Sequence, residues 1–336
     1  MAPLNPLRKQ RVNFIMIAKN NKKLIIVTGG WGFVGSRFVK AVLENTSYSV
    51  KVIDKLTYAG ERVRVYNHID SKYQVRLSEL RKDINDVTFA DISGAEYIVN
   101  FAAESHVDNS IQDGRPFIRS NIEGTFNLLE KARRSSVLKK FVQISTDEVY
   151  GDMHDLRGRQ DADESFKLRP SSYYSASKAS ADLLVQSAAR TYGVHYLITR
   201  SCNNFGPGQD PEKFIPKIFE AIKKGEEVPV YGNGLQSREW IHVDDNAQVI
   251  LDLMLSAAED EVYNIGSGFH YKNIEIINYI GDILGKKVLC KEVKDRLGHD
   301  KAYRLNNGKA EGFLGERVYQ TLEGFLKDQT HELERC

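Results

Sequence analysis

Cysteine is scarce in this sequence, and the cysteines that occur are not arranged in pairs. They are Cys202, Cys290 and Cys336, in a chain of 336 residues. An odd number without C-x-x-C or metal-ligand spacing excludes a disulfide framework and argues against a metal site. We therefore expect reduced thiols, a cytoplasmic location and no bound metal.

Long apolar runs and an excess of charge are also lacking. The run VNFIMIA near the start is too short to cross a bilayer and lacks the small-residue cleavage site of a signal peptide. The formal net charge is only +2, from 47 basic and 45 acidic residues. These features predict neither a membrane nor a nucleic-acid partner.

The small net charge is unevenly distributed along the chain. Residues 1–23 contain six basic residues and no acid, so this stretch carries +6 and leaves −4 for the remainder. A basic arm of this kind serves targeting or nucleic-acid binding, or it is a disordered leader. We expect residues 1–21 to be a disordered leader.

Apolar, β-rich runs alternate with helical patterns over the first two thirds of the chain. Strands are predicted at KKLIIVTGG, YSVKVIDKL, AEYIVNFAA, KKFVQISTD and VHYLITRSCN, and helices at WGFVGSRFVKAVLEN, NIEGTFNLLEKARR and SYYSASKASADLLVQSAARTYG. This alternation predicts an α/β fold with a doubly wound parallel sheet, which binds ligands at the carboxyl ends of its strands. Beyond residue 202 the pattern is less regular, which indicates a second, smaller lobe built from interleaved segments.

A glycine-rich turn joins the first strand to the first helix. Residues 28–36 read TGGWGFVGS, and Gly30, Gly32 and Gly35 fit the G-x-G-x-x-G pattern. Glycines at this position permit a tight turn and a close approach of the backbone to a pyrophosphate at the helix N-terminus. The alternative is a purely structural strand-to-helix turn.

An acid follows the next strand. Asp54 closes YSVKVID, where a carboxylate accepts hydrogen bonds from the hydroxyls of an adenosine ribose and repels a 2′-phosphate. This favours NAD over NADP, whereas the positive charge of the adjacent Lys55 would attract a 2′-phosphate.

A tyrosine and a lysine lie four residues apart in YYSASK. In a helix, Tyr174 and Lys178 would share one face. We expect the ammonium to lower the pKa of the phenol from about 10 toward neutrality, which would make Tyr174 a base. The alternative is a solvated helix face, because this spacing is common by chance.

The segment STDEVYGD, residues 145–152, places a hydroxyl and two carboxylates at a strand end. One interpretation is a capping box formed by Ser145 and Glu148. The other is acid/base chemistry by Thr146, Asp147 and Glu148, because neighbouring carboxylates acquire different pKa values and so suit one acid and one base.

These segments together resemble the extended short-chain dehydrogenase/reductases, and more narrowly the dTDP-glucose and UDP-glucose 4,6-dehydratases. The matching segments run in the family's order from about residue 24 to about residue 305. They are TGGWGFVGS, DKLTYAG, NFAAESHVDNSI, STDEVYGD, PSSYYSASKASAD, NNFGPGQDPEKFIP, VYGNGLQSREWIHVDDNA, YNIGSG and DRLGHDKAYRL.

The resemblance implies an NAD-dependent conversion of an NDP-glucose to its 4-keto-6-deoxy product. Tyr174, assisted by Thr146 and Lys178, would deprotonate the C4 hydroxyl while NAD takes the C4 hydride. Glu148 would remove the C5 proton, and Asp147 would protonate the C6 hydroxyl as it leaves as water. The hydride would then return to C6.

The resemblance also implies a Rossmann-like cofactor site and a substrate site. The cofactor-binding residues would be Gly29, Gly32, Phe33, Val34, Gly35, Asp54, Lys55, Leu56, Thr57, Asp83, Ile84, Ala102, Ala103, Ser105, Ser120, Tyr174, Lys178 and Asn204. The substrate-binding residues would be Glu104, His106, Thr146, Asn203, Lys213, Phe214, Pro229, Tyr231, Arg238, Asn273, Arg296, His299 and Tyr303.

Domain boundaries and assembly follow from the same resemblance. Residues 22–201 with about 237–262 would form the NAD-binding domain, and about 202–236 with 263–336 the nucleotide-sugar lobe. The helices NIEGTFNLLEKARR and SASKASADLLVQSAAR would form a four-helix homodimer interface.

Two other functions remain open at this point. A nucleotide-sugar 4-epimerase of the same superfamily would share the glycine turn and the Tyr174–Lys178 pair but would not need Asp147 and Glu148. A non-catalytic dinucleotide-sensing protein typically lacks the tyrosine or the lysine, and this chain has both.

Overall fold

The fold is taken from a computed structural model, which describes residues 23–57, 69–154, 161–256, 260–295 and 298–333. The expected leader, residues 1–21, and the predicted substrate residue Arg296 lie outside the described residues. The strands are β1 (Leu24–Thr28), β2 (Ser49–Asp54), β3 (Leu77–Arg81), β4 (Tyr97–Asn100), β5 (Lys140–Thr146), β6 (Tyr196–Ser201), β7 (Asn203–Phe205), β8 (Glu227–Tyr231), β9 (Ser237–His242), β10 (Glu261–Ile265), β11 (His270–Lys272) and β12 (Leu289–Val293).

The helices pack around these strands. They are α1 (Phe33–Asn45), α2 (Ser71–Gln74), α3 (Phe89–Ile92), α4 (Val107–Gln112), α5 (Arg115–Phe117), α6 (Gly124–Ala132), α7 (Tyr173–Tyr192), α8 (Phe214–Lys224), α9 (Val243–Ser256), α10 (Asn273–Ile283), α11 (Gly308–Leu314) and α12 (Leu322–Leu333). A π-helical segment, Ile118–Glu123, joins α5 to α6. Within the described residues, no helix is both long and apolar enough to cross a membrane.

Seven parallel strands form the main sheet, in the order β3-β2-β1-β4-β5-β6-β10. The first six follow the strand order of doubly wound dinucleotide-binding folds, in which the direction of winding reverses between β1 and β4. Every residue of β4 and β6 is buried, as expected for parallel strands covered on both faces. The predicted fold class is confirmed.

Two hydrophobic cores lie on the faces of this sheet. On one face, Phe38 and Val42 of α1 belong to the same buried cluster as Ile250 of α9. On the other face, Leu128 of α6 and Val185 of α7 share a cluster with strand residues. The helices packed on the two faces fix the positions of the strand ends. The candidate site lies at the carboxyl ends of these strands.

A third core belongs to a smaller lobe. Its two sheets are β11-β9-β7 and β12-β8, and its buried cluster includes Phe205, Ile218, Trp240 and Ile277. β9 pairs with β7 and β11, whereas β10 returns to the main sheet. The segment near Ala302 connects both parts, because its carbonyl accepts a hydrogen bond from Met153 N while Ala302 bridges to Ser237.

Candidate active site

The glycine turn brings three backbone segments close together. Gly29 has φ +66° and donates its N–H to Ile53 O at 2.9 Å, and a Cβ on it would lie 2.6 Å from Ala102 N. Gly32 is the N-cap residue of α1 and makes no side-chain cap, and a Cβ on Gly35 would collide with Gly29 O. The first N–H groups of α1 are therefore not capped by a side chain, as an anion-binding turn requires.

Asp54 holds this turn against the end of β2. Its Oδ2 accepts from Trp31 N at 3.1 Å, and its Oδ1 accepts from Leu56 N at 2.8 Å. Leu56 itself has φ 57°, a left-handed conformation that is rare for a branched side chain. A carboxylate accepts about four hydrogen bonds, so Asp54 retains acceptor capacity for two hydroxyls.

Lys55 has acidic neighbours on two sides. Its Nζ lies 3.2 Å from Glu104 Oε1 and 3.9 Å from Asp83 Oδ2. Asp83 also caps the short helix Ile84–Asp86 by accepting from Asn85 N at 2.9 Å. Glu104, which the resemblance assigned to the substrate, therefore contacts Lys55, a residue assigned to the cofactor.

The other predicted cofactor residues lie along the same edge of the sheet. Ser105 O accepts a hydrogen bond from Lys213 Nζ at 3.4 Å. Phe33 and Val34 begin α1, Thr57 follows β2, Ala102 and Ala103 follow β4, and Ser120 is buried in the π-helical segment.

Thr146 and Asp147 are joined where β5 ends. Thr146 Oγ1 donates to Asp147 Oδ1 at 3.1 Å and accepts from Glu148 N at 3.3 Å, which caps the short helix Asp147–Tyr150. Ser145 Oγ instead donates to Asp182 Oδ2 at 3.1 Å. The alternative interpretation, a capping box formed by Ser145 and Glu148, is therefore not found, because the Ser145 side chain is directed to α7.

Asp147 is buried, with 1% of its surface exposed. Burial raises the pKa of its carboxyl well above the usual range, and the charges of Glu148 and Glu239 raise it further. Arg238 and the Thr146 hydrogen bond oppose this shift without cancelling it. The raised pKa favours the protonated carboxylic acid, which is the form that a general acid needs.

Tyr174 and Lys178 lie one turn apart on α7 and face this strand end, as predicted. The pKa of Tyr174 is raised, however, because burial and the carboxylates of Glu148 and Asp147 all disfavour the phenolate. The prediction of a lowered pKa is wrong for the protein alone. Lys178 Nζ, the cation expected to lower the pKa of Tyr174, donates to Ile144 O.

Lys178 has a charged neighbour one turn further along α7. Burial lowers the pKa of Lys178 to about 8, and the charge of Asp182 acts against this shift. Asp182 is itself paired with Arg200 at 3.0 Å, and both side chains are almost completely buried. Arg200 also donates to Tyr150 Oη at 3.0 Å, so a buried polar network holds α7, which carries Tyr174 and Lys178, against its neighbours.

Arg238 is fixed in the smaller lobe by backbone carbonyls. It donates to Ser237 O at 2.9 Å and to Asp300 O at 2.7 Å, and its guanidinium lies 4.4 Å from the centre of the Tyr303 ring. Tyr303 Oη donates to Asp300 Oδ2 at 2.5 Å. The structure thus brings together Arg238 and Tyr303, two residues predicted to bind substrate.

A second group lies where β8 ends. Tyr231 and His299 meet edge to face at 6.1 Å, and His299 Nδ1 lies 2.6 Å from Asp295 Oδ1. Gln236 Nε2 donates to Tyr231 O at 3.2 Å, and Asn273 N donates to Gln236 O at 3.0 Å. Pro229 lies within β8, two residues before Tyr231.

Lys213 links the smaller lobe to the acid/base group. Burial lowers the pKa of Lys213, and the charge of Glu148 is the strongest opposing influence. The next residue, Phe214, stacks on Trp240 at 6.2 Å between ring centres.

The remaining predicted residues lie on β7 and at the end of β4. Asn204 Oδ1 accepts from Asn246 Nδ2 at 2.8 Å, Asn203 precedes it in β7, and His106 is the N-cap residue of α4.

Sequence reasoning missed four buried residues around the site. Asn121 donates to Glu104 O at 3.0 Å and to Ser177 Oγ at 2.8 Å, and so ties the end of β4 to α7. Glu239, Asp182 and Arg200 supply buried charge close to Asp147 and Lys178. Only Asp182 had a usable signal, since it continues the four-residue spacing of Tyr174 and Lys178.

Comparison with known proteins gives one consistent family. The chain matches the NAD dependent epimerase/dehydratase family over residues 25–266. It is 45% identical to the low-salt glycan biosynthesis protein Agl12 of Haloferax volcanii, over 89% of this chain and 95% of that protein. It is 40% identical to a dTDP-glucose 4,6-dehydratase of Streptomyces niveus, over 87% of each.

Among solved structures, it resembles the dTDP-glucose 4,6-dehydratase DesIV of Streptomyces venezuelae, crystallised with NAD bound. The TM-score is 0.86 at 38% identity, over 93% of this chain and 97% of that one. The protein belongs to the NAD dependent epimerase/dehydratase family.

Proposed function

We propose that the protein is an NAD-dependent 4,6-dehydratase of a nucleoside-diphosphate glucose. The observation that carries this proposal is the position of Asp147, a buried carboxyl that accepts from Thr146 Oγ1 and lies next to Glu148 at the strand end that Tyr174 and Lys178 face. Elimination of water needs one acid and one base, and these adjacent carboxyls supply both. The names of the Streptomyces relatives point to the same reaction.

NAD fits the residues at the carboxyl end of the sheet. The uncapped N-terminus of α1 suits a pyrophosphate, and Asp54 retains acceptors for ribose hydroxyls. The two acids beside Lys55 offset its charge, which favours NAD over a 2′-phosphorylated cofactor. When bound, NAD accepts the hydrogen and electron pair from C4 of the sugar and returns them to C6.

Replacing Gly29 with Ala is expected to weaken NAD binding at least tenfold, on the order of 1.4 kcal/mol, because a Cβ there strains a positive φ and presses on Ala102 N. Gly94→Ala is the matched control, since Gly94 has φ +83° and open space around it. Binding is measured by the quenching of protein fluorescence on titration with NADH. Equal affinity in both variants would contradict a cofactor at this turn.

The side chains divide the chemistry between them. Tyr174 takes the proton of the C4 hydroxyl, and the positive charge of the oxidised nicotinamide offsets the carboxylates that hold the phenol protonated in the protein alone. The C4 ketone acidifies C5–H, which Glu148 removes. Asp147 gives its proton to the C6 hydroxyl, the C6–O bond breaks, the electron pair of the C5–H bond forms the C5–C6 double bond, and water leaves. Glu148 then returns its proton to C5 as C6 regains the hydrogen.

The smaller lobe is proposed to hold the nucleoside diphosphate. Arg238 offers a fixed guanidinium, and Tyr231, His299 and Asn273 form an aromatic and amide wall where β8 ends. We propose that β7, β8, β9, β11 and β12 belong to this lobe and that α9 and β10 belong to the NAD domain. The names of the relatives favour dTDP-glucose over UDP-glucose.

We also propose a homodimer in a cytoplasmic location. Phe126 of α6 and Leu183 of α7 are apolar but 53% and 57% exposed. Both helices pack on the same face of the main sheet. A second copy that packs the same helices against them would bury this surface. Among the described residues, Cys202 is a buried free thiol and Cys290 an exposed one.

Leu183→Glu is expected to convert the dimer to a monomer, because it places a charge in the apolar centre of the interface. Size-exclusion chromatography with light scattering measures the mass of the particle. Val75→Glu is the control and should leave the mass unchanged. Val75 is an apolar side chain that is 84% exposed in the turn between α2 and β3, away from α6 and α7 in sequence. A wild-type protein that elutes as a monomer would contradict the proposal.

The rival function, a 4-epimerase, requires no acid for a leaving hydroxyl. Incubation with dTDP-glucose and, separately, UDP-glucose followed by mass spectrometry distinguishes the two reactions. A dehydratase gives a product lighter by one water with no net accumulation of NADH. A product of unchanged mass with inverted C4 would favour the epimerase.

A further inference from the structure

A buried guanidinium lies beside the carboxyl end of β5. Arg200 of β6 is paired in register with Ser145 of β5, the residue before Thr146, and 3% of its surface is exposed. A buried charge is costly unless it is paired and hydrogen-bonded. The N–H groups of Arg200 have partners on three other segments of the chain, namely Asp182, Tyr150 and the carbonyl of Glu164.

Two of these partners belong to the elements that carry the proposed catalytic residues. Arg200 Nε donates to Asp182 Oδ2 at 3.0 Å, and Asp182 lies one turn beyond Lys178 on α7. Arg200 Nη1 donates to Tyr150 Oη at 3.0 Å, and Tyr150 is the last residue of the short helix Asp147–Tyr150. One planar guanidinium therefore joins α7 directly to this short helix.

Further hydrogen bonds fix both ends of this bridge. On the side of α7, Asp182 Oδ2 also accepts from Ser145 Oγ at 3.1 Å. On the other side, Tyr150 Oη donates to Asn264 Oδ1 of β10 at 2.7 Å, and Asn264 Nδ2 donates to Ala162 O at 2.8 Å. The guanidinium also lies 5.0 Å from the centre of the Tyr150 ring. The Tyr150 side chain is therefore held between a charged donor and a buried acceptor.

Stability alone is a weak reason for a buried charge at this place. Apolar side chains of similar volume often replace a buried ion pair without loss of stability, because desolvation of the charges offsets their attraction. A guanidinium adds geometry instead, since its N–H donors point in fixed directions within one plane. In this protein those directions set the position of the short helix Asp147–Tyr150 relative to α7.

We propose that Arg200 is a positioning residue that, through Tyr150, holds Asp147 and Glu148 in place beside the Tyr174–Lys178 pair. The inference rests on the proposed dehydration, in which that pair acts at C4 and the two carboxyls act at C5 and C6 of one bound sugar. Neither Arg200 nor Tyr150 takes part in a bond change. Because Tyr150 belongs to the short helix of the carboxyls, its link to Arg200 should matter more for the loss of water than for C4 oxidation.

Tyr150→Phe tests the bridge with a small change. It removes the hydroxyl that Arg200 holds and retains both the ring and the ion pair between Arg200 and Asp182. In a single turnover with a nucleoside-diphosphate glucose, we expect the loss of water to slow about tenfold or more, because a displacement of about 1 Å can cost about 100-fold in rate. The rate of NADH formation should remain close to that of wild type, so NADH should accumulate before it is consumed.

Hydrogen–deuterium exchange of the substrate-free protein gives a readout that does not require activity. Glu148 N donates to Thr146 Oγ1 at 3.3 Å, and Gly151 N donates to Glu148 O at 3.2 Å. In Tyr150→Phe these two N–H groups should exchange about tenfold faster or more, because a hydrogen bond to a charged group no longer opposes local opening. Peptides from α10 in the smaller lobe should exchange as in wild type.

Two further variants separate positioning from a general loss of stability. Tyr48→Phe is the matched control, because Tyr48 is also buried and its hydroxyl donates to a charged group, Glu96 Oε2 at 2.8 Å, at the amino ends of the strands. It should leave both readouts unchanged. Arg200→Lys retains the positive charge beside Asp182 but not the planar arrangement of donors, and it should reproduce both effects of Tyr150→Phe. The double variant should show little further change, since both exchanges break the same bridge.

The outcomes distinguish this inference from the proposed function. Unchanged loss of water in Tyr150→Phe would overturn the inference, and so would equal slowing of C4 oxidation and water loss. If the wild-type protein removes water from no nucleoside-diphosphate glucose, the proposed function fails, and exchange alone decides on the bridge. Faster exchange confined to the short helix would then support the bridge, and unchanged exchange would overturn it.

Discussion

Glu148→Gln is expected to slow loss of water by at least about 100-fold while leaving C4 oxidation intact, because an amide cannot remove the C5 proton. Asp147→Asn should have a similar effect, since an amide is too weak an acid to protonate the leaving hydroxyl. Both exchanges preserve side-chain shape. The fold and the affinity for NAD should therefore be unchanged.

Stopped-flow absorbance of NADH measures this prediction in a single turnover. In wild type, NADH formed at C4 oxidation is consumed as the hydrogen returns to C6. In both variants NADH should accumulate, because the loss of water between C4 oxidation and the return of hydrogen to C6 is blocked. Glu79→Gln, an exposed carboxylate on β3, is the control. Wild-type rates of water loss in both active-site variants would contradict the assignment of acid and base.

Tyr174→Phe is expected to reduce C4 oxidation by roughly 1,000-fold, because only the hydroxyl that accepts the C4 proton is removed. The ring retains its edge contact with Phe117, at 6.3 Å between centres, so the helix should remain in place. No NADH should form, in contrast to the carboxylate variants, and NAD should still bind.

The neighbouring tyrosine provides a matched control. Tyr173 is 63% exposed at the start of the same helix, so Tyr173→Phe removes the same atom away from the site. It should leave both rates unchanged. Rapid NADH formation in Tyr174→Phe would show that another group takes the C4 proton.

The sheet and the glycine turn could be predicted because both depend on local patterns. Alternating apolar runs identify β1 and β4, and the turn at Gly29 depends on the residues beside it. Thr146, Asp147 and Glu148 were found because they are adjacent in sequence. The order of the parallel strands then places the end of β5, which carries these residues, next to α7.

The electrostatics of the site could not be predicted in the same way. The pKa of Tyr174 depends on burial and on the carboxylates of Glu148 and Asp147, whereas its sequence context offers only Lys178. Glu239, whose charge also raises the pKa of Asp147, is far from Asp147 in sequence and lies on β9. A charge at long sequence distance leaves no periodic pattern.

The fixed orientation of the Arg238 guanidinium could not be predicted from the sequence either. The resemblance placed Arg238 among the substrate-binding residues, and the fold directs two of its N–H groups to the carbonyls of Ser237 and Asp300. A guanidinium has five N–H donors, so some remain for a ligand. The fixed orientation follows from the segment near Asp300, which no local pattern connects to β9.

The most direct test of the proposed reaction uses dTDP-glucose labelled with deuterium at C4. The reaction transfers that hydrogen through the bound cofactor to C6 of the same molecule. Nuclear magnetic resonance of the product should therefore show a deuterium in the C6 methyl group, a ketone at C4 and the loss of one water. Deuterium that stays at C4 of a sugar of unchanged mass would contradict the account.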